Sequence, residues 1–387
     1  MNERLVLGRR LVKGLGVGPR VRLSERSSLL VVGPTQVGKT SSLVVPAILG
    51  WCDAVVVTSV KSDVVNVTRR WRGALGSVQV LEPGRERGLT WDPLEGVHSL
   101  RHALRVAHEL TSHSSAHADA DFWNSLAAKL VAALFVRACE RGLRVFDVAT
   151  LIESRDFDPW LGRGEAAALL EDFLRHDPKT LDGVLTTAET MLLPWRFAQP
   201  LARVREVVHG ANTLYLVSPR GEQRHYEPLF RGALRMVLEE QQRLSDEGRA
   251  RRLLLVLDEA ASVAPLEDLD ELAATLAGLS VTLVTVVQDF AQLSARWGKR
   301  AATIVNNHTT RCVLGGLADP GVSTYLPEAA GTAQNPLRRR APGTAIVVAR
   351  SAPPVGVRLR PWWTQTHLRP RGHLDLATIR RWQRRAT

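Results

Sequence analysis

Residues 33–40 read GPTQVGKT, the spacing G-x-x-x-x-G-K-[ST], which is chemistry for a polyphosphate. The glycines let backbone amides turn inward around phosphate oxygens, and a following helix adds its positive N-terminal end. Gly33, Pro34, Thr35, Gln36, Val37, Gly38, Lys39, Thr40 and Ser41 are therefore the expected nucleotide-binding residues. Lys39 is expected to reach the β and γ phosphates, and the Thr40 hydroxyl to ligate Mg2+. A Gly-rich turn would match so short a motif, but here an apolar strand pattern precedes it and an apolar helix pattern follows.

A second site lies in RRLLLVLDEAAS, residues 251–262. An apolar strand ending in Asp258 and Glu259 puts two carboxylates at a strand's C-terminal edge, where open α/β sheets bind ligands. Asp258 is expected to hold Mg2+ and Glu259 to act as general base on an attacking water. The acidic pair suits hydrolysis, and no N-K-x-D guanine-reading motif is present, so ATP is the expected cofactor with Mg2+. Gln288, ending VTLVTVVQ, is placed to sense the γ phosphate. Arg311, in NNHTTRCVLGG, has the composition of an arginine finger toward a neighbouring subunit, or of an ordinary surface arginine.

These residues need a sheet to position them. Short Val- and Leu-rich runs occur at 28–33, 53–59, 78–83, 213–219, 253–259, 281–288, 310–316 and 344–350. Continuous rather than alternating apolarity suits parallel strands covered on both faces. Residues 98–208 carry helical spacing and hardly any strand signal. The expected fold class is α/β, a P-loop NTPase with a mainly parallel sheet and an inserted all-helical subdomain. Its expected parts are 1–97 and 209–357 for the nucleotide-binding domain, 98–208 for the insert and 358–387 for a basic tail.

Composition narrows the partners. The chain has 387 residues, 45% of them hydrophobic, and a formal charge of +12. A core of useful size is possible, and the basic excess favours a polyanion. The three cysteines, Cys52, Cys139 and Cys312, form no C-x-x-C pair and so no disulfide framework. No long apolar run marks a secretion signal or a membrane span. His113, His117, Asp119 and Asp121 have metal-like spacing but read as a solvated loop. Trp123, beside Phe122 at the head of an apolar helix, could be a DNA-stacking ring but reads better as core. Arg358, Arg360, Arg369, Arg371, Arg380, Arg381, Arg384 and Arg385 surround Trp362, Trp363 and Trp382. Either they meet single-stranded DNA, or they end a basic segment whose tryptophans pack on the domain.

With these residues in hand, the chain resembles the coupling ATPases of type IV secretion and conjugation, the TraG/TraD type, which are RecA-like hexameric motors related to FtsK and HerA. VVVTSVKSDV (55–64) is similar to that family's strand signature, with Lys61 and Asp63 matching and Ser59 departing from it. WDPLEG (91–96), DFWNSLAAKLVAALF (121–135), VVQDFAQLSARWG (286–298) and APGTAIVVA follow in the family's order. The resemblance implies an ATP-driven DNA-translocating motor coupling DNA, single-stranded in expectation, to a secretion channel. It implies a homo-hexamer, a relaxase or other secretion substrate, a membrane anchor or channel subunit, and a DNA contact at LRRRAPG (337–343). Family members usually begin with transmembrane helices, whereas this sequence starts almost at the nucleotide domain. Another subunit supplying the anchor, a soluble relative and a shortened remnant all fit, and the expected location is cytoplasmic, at the inner face of the membrane. Two other functions share these residues: a protein-recruiting adaptor ATPase, and a double-stranded DNA pump of the FtsK or HerA kind.

Overall fold

The computed structural model describes residues 5–12, 18–24, 26–60, 62–83, 88–111, 118–196, 200–219, 221–317, 319–325, 343–350 and 352–373. Lys61, His113, His117, most of the LRRRAPG segment, Trp382 and the arginines from Arg380 onward lie outside the described residues. The chain forms two compact units. The first comprises Met1–Val80, Arg205–Arg220 and Val237–Thr387, and the second Leu81–Val204 with Gly221–Met236.

The first unit is built on eleven strands: β1 (Val6–Arg10), β2 (Arg20–Arg22), β3 (Ser28–Val32), β4 (Ala54–Ser59), β5 (Val78–Leu81), β6 (Thr213–Val217), β7 (Leu253–Leu257), β8 (Val281–Val287), β9 (Thr310–Leu314), β10 (Thr344–Ala349) and β11 (Ala352–Arg358). Their order in the sheet is β2-β1-β11-β10-β9-β3-β8-β7-β4-β6-β5. From β9 through β6 every described pairing is parallel. These strands are Val- and Leu-rich and almost wholly buried, as a sheet covered on both faces requires. The far end is different, since β9, β10, β11, β1 and β2 pair antiparallel in succession.

Two helices cover one face: α1 (Val45–Gly50), which continues a π-helical turn from Thr40–Val44, and α2 (Asp63–Gly73). Leu43, Ala47, Ile48, Val64 and Val65 from this layer pack with Leu29, Val31, Val57, Val256 and Val286 of the sheet. Arg72, at the end of α2, is fully buried. Its guanidinium donates to the carbonyls of Trp51, Asp53 and Ala211 at 2.5, 2.6 and 3.0 Å, and to the Thr213 hydroxyl at 2.7 Å. It thereby ties the entries to β4 and β6 together. Burial pushes its pKa down to about 10, still charged at neutral pH.

The segment after β11 is not loose. Trp362 and Leu368 pack against Val45, Leu49 and Trp71. Arg371 stacks over the Trp71 ring at 4.8 Å and donates to the Leu49 carbonyl at 2.9 Å, at the end of α1. Of the three tail tryptophans, Trp362 is thus core, while Trp363 is 46% exposed.

In the second unit α3 (Leu100–Leu110), α5 (Val145–Ser154), α6 (Glu165–Leu174) and α7 (Pro178–Leu192) surround α4 (Ala118–Glu140). The stretch Asp121–Glu140 is long and apolar enough to cross a membrane by length and composition. Leu130 through Phe135 on it are fully buried, so packing among these helices accounts for its apolarity. Trp123 lies against Gly183 of α7, whereas Phe122 is 56% exposed. Trp91 meets Trp195 edge-on with centroids 5.7 Å apart, and the Trp195 indole donates to the Trp91 carbonyl at 2.6 Å. Arg231 is buried and donates to the carbonyls of Glu109 and Thr111. It sits on α8 (Gln223–Asp246), whose residues through Met236 belong to this unit and whose remainder belongs to the first.

Candidate functional site

The phosphate-loop sequence leaves β3 at the sheet's C-terminal edge. Gly33 opens it with its N–H donating to the Val287 carbonyl at 3.3 Å. A Cβ at position 33 would stand 2.8 Å from the Cβ of Leu314 on β9, so the strand packing admits only glycine. Gln36 and Gly38 have φ of +63° and +92°, which bends the loop back into the helix. The Lys39 ammonium donates to the carbonyls of Gly33 and Pro34 at 2.5 and 2.8 Å, placing a cation at the loop's mouth. The Ser41 hydroxyl donates to the Gly38 carbonyl at 3.4 Å.

Strand β7 brings the second half. Asp258 follows Leu257 and is 6% exposed. The Thr40 hydroxyl donates to Asp258 Oδ2 at 3.4 Å, joining residues 218 positions apart. The Thr58 hydroxyl at the end of β4 donates to the Asp258 carbonyl at 3.1 Å. Glu259 has φ +54° and ψ 50°, a left-handed conformation rare outside glycine, and it stands at the N-cap of the short helix α9 (Ala260–Val263). The turn leaves Glu259 half-buried while Asp258 faces inward.

Gln288 ends β8, which lies between β3 and β7. Its N–H donates to Gln292 Oε1 at 2.9 Å, and Asp289 caps α10 (Phe290–Trp297) by accepting from the Gln292 N–H at 2.6 Å. The structure therefore gathers Gly33–Ser41, Asp258, Glu259 and Gln288 at neighbouring strand ends. Arg311 is not among them. It lies within β9, opposite Leu30 and Val348, short of the strand end that meets the loop. Its electrostatic neighbour is the buried His308, held down to about pKa 4 by desolvation first and the Arg311 charge last.

Thr58 and Gln292 are positioning residues with little sequence signal of their own. A threonine inside an apolar strand is ordinary, and only the Q-x-x-x-Q spacing hinted at Gln292. Asp319, accepting from the N–H groups of Phe290 at 2.5 Å and Gly321 at 2.8 Å, had no signal.

Burial, and after it the charge of Glu259, pushes the Asp258 carboxyl up to about 6, against the opposing pull of Lys39 and Thr40. A buried carboxylate raised this far, with a threonine hydroxyl beside it, is a hard-oxygen pair short of positive charge, which suits Mg2+. The shift has a sign for stability. The folded chain holds this proton more tightly than the unfolded one, so the group's contribution is greatest below the unfolded value and is lost as pH rises through about 6. Asp258→Asn is accordingly expected to stabilise the nucleotide-free protein at pH 7.5 by on the order of 2–3 kcal/mol, and to flatten the stability change between pH 5 and 7.5. Urea denaturation of both proteins at the two pH values measures this. An Asn variant no more stable than the parent at pH 7.5 would refute it.

A phosphate loop after β3, a carboxylate pair after β7 and β8 between them define a RecA-like P-loop NTPase. Residues 2–157 match the family model described as type IV secretory system conjugative DNA transfer, and residues 252–343 match the TraM recognition site of TraD and TraG. In these segments the chain is similar to conjugation coupling proteins of the TraG/TraD type. It is 24% identical over 323 residues to a conjugal transfer protein TraG of Escherichia coli, covering 71% of this chain and 50% of the relative. A second Escherichia coli TraG is 25% identical over 316 residues, at 69% and 49% coverage. The chain thus spans about half the length of these curated relatives. Among solved structures, the plasmid coupling protein TrwB in complex with ADP and Mg2+ superposes with a TM-score of 0.70 at 18% identity, over 93% of this chain and 95% of that one. An unbound form of TrwB gives 0.69 at 17%, over 92% and 94%.

Proposed function

We propose that this chain is the ATP-hydrolysing motor of a conjugation coupling protein, moving DNA in conjugative transfer. The observation that carries the reading is the 3.4 Å contact between the Thr40 hydroxyl and Asp258, with Lys39 at the loop mouth. Lys39 and the amides of residues 34–41 would hold the phosphates, and Thr40 and Asp258 would hold Mg2+, whose charge would offset the charge developing on the transferred phosphate. Glu259 would orient and deprotonate the attacking water, and Gln288, anchored through Gln292, would relay loss of the γ phosphate. A nucleotide-and-Mg2+ complex of TrwB supports the cofactor assignment.

The family matches support DNA, and a TraM-like or relaxase protein, as partners. A homo-hexameric ring with a channel or anchor subunit fits the TraG/TraD type. Arg311, near the start of β9, lies outside this chain's own phosphate-loop cluster, which fits either a finger toward a neighbouring subunit or a surface arginine. The set proposed to act within one chain is Lys39, Thr40, Asp258, Glu259 and Gln288.

The test is ATP hydrolysis by the purified protein alone, with single-stranded DNA and with duplex, beside Lys39→Ala. Turnover that rises with DNA and vanishes in the variant is the expected result, and the better-stimulating form assigns the strandedness. Turnover indifferent to both forms would replace the motor with the protein-recruiting adaptor.

A further inference from the structure

Arg9 on β1 stands directly opposite Arg358 on β11 and directly opposite Arg20 on β2. Opposed residues on adjacent antiparallel strands share a face with Cβ atoms about 4.5–5.5 Å apart, and like charges there are destabilising. Three guanidinium groups therefore lie in one row across three strands. None of them forms an ion pair among the described residues, whereas Arg205, Arg243, Arg252 and Arg300 of the same unit each meet a carboxylate. Positive charge on an edge strand guards against edge-to-edge pairing. That accounts for Arg20 on the outermost strand, but not for Arg9 and Arg358 on the strands inside it.

A small, open pocket adjoins the row. Arg9 and Arg20 line it together with Arg360, Gln365 and His367, and Ser42 of the phosphate-loop helix forms part of its wall. Arginine forks match phosphate oxygens, and the neighbouring amide and imidazole add further hydrogen-bonding groups. Strands lie about 4.8 Å apart, so the row covers roughly 10 Å, more than one phosphate of a nucleic-acid strand carrying a charge every ~3.4 Å of axis.

We propose that this arginine row and its pocket are a backbone-phosphate site for a nucleic-acid strand, set beside the first turn of the phosphate-loop helix. The proposal rests on the reading that the chain works on DNA. It joins arginines from both ends of the sequence, Arg9 and Arg20 with Arg358 and Arg360, into one surface. Ser42 directly follows the nucleotide-binding residues 33–41, so a strand held there is expected to change nucleotide affinity reciprocally.

The experiment is fluorescence anisotropy of a labelled oligothymidine, titrated at 50 to 200 mM NaCl. The proteins are the parent, Arg20→Gln, the double variant Arg9→Gln/Arg358→Gln, and Arg249→Gln as a charge control. Arg249 is exposed and paired with Glu247. Binding is expected to weaken in the row variants, with the salt slope falling by about 0.7 for each phosphate contact removed, and to change little in the control. Circular dichroism melts check that the variants are folded, since removing like-charge repulsion should not cost stability. Parent binding with the same affinity and slope in the row variants would overturn the row and leave the DNA motor standing. A parent that binds no oligonucleotide would overturn both. Sedimentation with phosphatidylserine vesicles is the last arm. Variants that lose vesicle binding but keep the oligonucleotide would assign the row to a lipid surface, overturning the proposal.

Discussion

Glu259→Gln is expected to cut ATP turnover by about 10²–10⁴ while leaving nucleotide and Mg2+ binding largely intact, as befits loss of a general base. The geometry separates the two carboxylates. Asp258 is buried against Thr40 and Thr58, whereas Glu259 is turned out by a left-handed backbone. Such a conformation costs on the order of 1–3 kcal/mol and persists where surrounding structure imposes it. Glutamine preserves the length of glutamate and one acceptor oxygen, and removes its charge and basicity. Fluorescent-nucleotide binding and phosphate release, measured on the same preparations, separate the effects. A variant that binds and still hydrolyses at the parental rate would remove Glu259 from the mechanism.

Arg72→Met is expected to destabilise the nucleotide-binding unit by on the order of 3–5 kcal/mol. Methionine fills much of the space but leaves the carbonyls of Trp51, Asp53 and Ala211 and the Thr213 hydroxyl without their donor. Each buried acceptor stripped of its partner costs about 1–3 kcal/mol. Arg72→Lys is expected to recover only part of the loss, because one ammonium cannot meet four acceptors spread across two strand entries. Urea denaturation followed by circular dichroism reads both. A methionine variant within about 1 kcal/mol of the parent would show that water satisfies those carbonyls instead.

How much of this was legible depended on how locally each feature is written. The phosphate loop and Asp258-Glu259 are contiguous motifs after apolar runs, and each of the eight apolar runs contains a strand, from β3 to β10. β1, β2 and β11 were missed. VLGRR, RVR and APPVGVR are arginine-, glycine- or proline-bearing and lack the apolar continuity of a buried parallel strand, because they form the antiparallel, partly solvated end of the sheet. That end also limits the mainly parallel character to the middle. Trp362 could be read from sequence as a stacking ring or as core, and only its seat against Trp71 decides for core. Pairings such as Thr40 with Asp258, Arg72 with Thr213 or Arg9 with Arg358 are long-range and leave no local pattern. The grouping of Gly221–Met236 with the helical unit is likewise invisible to periodicity.

The pairing of β1 with β11 and the seating of Trp362 on the phosphate-loop helix carry a consequence for how the protein is made. Arg9 leaves the ribosome long before Arg358, which ends the strand that pairs with it. The back of α1 stays bare until Trp362 and Leu368 arrive. The nucleotide-binding sheet therefore cannot close during synthesis, and contacts this distant in sequence make for slow folding. Newly made chains are expected to hold Trp71 and Leu49 open to solvent for the time it takes to translate the stretch from Trp71 to Leu368, and that interval is when they are most exposed to aggregation and to chaperone capture.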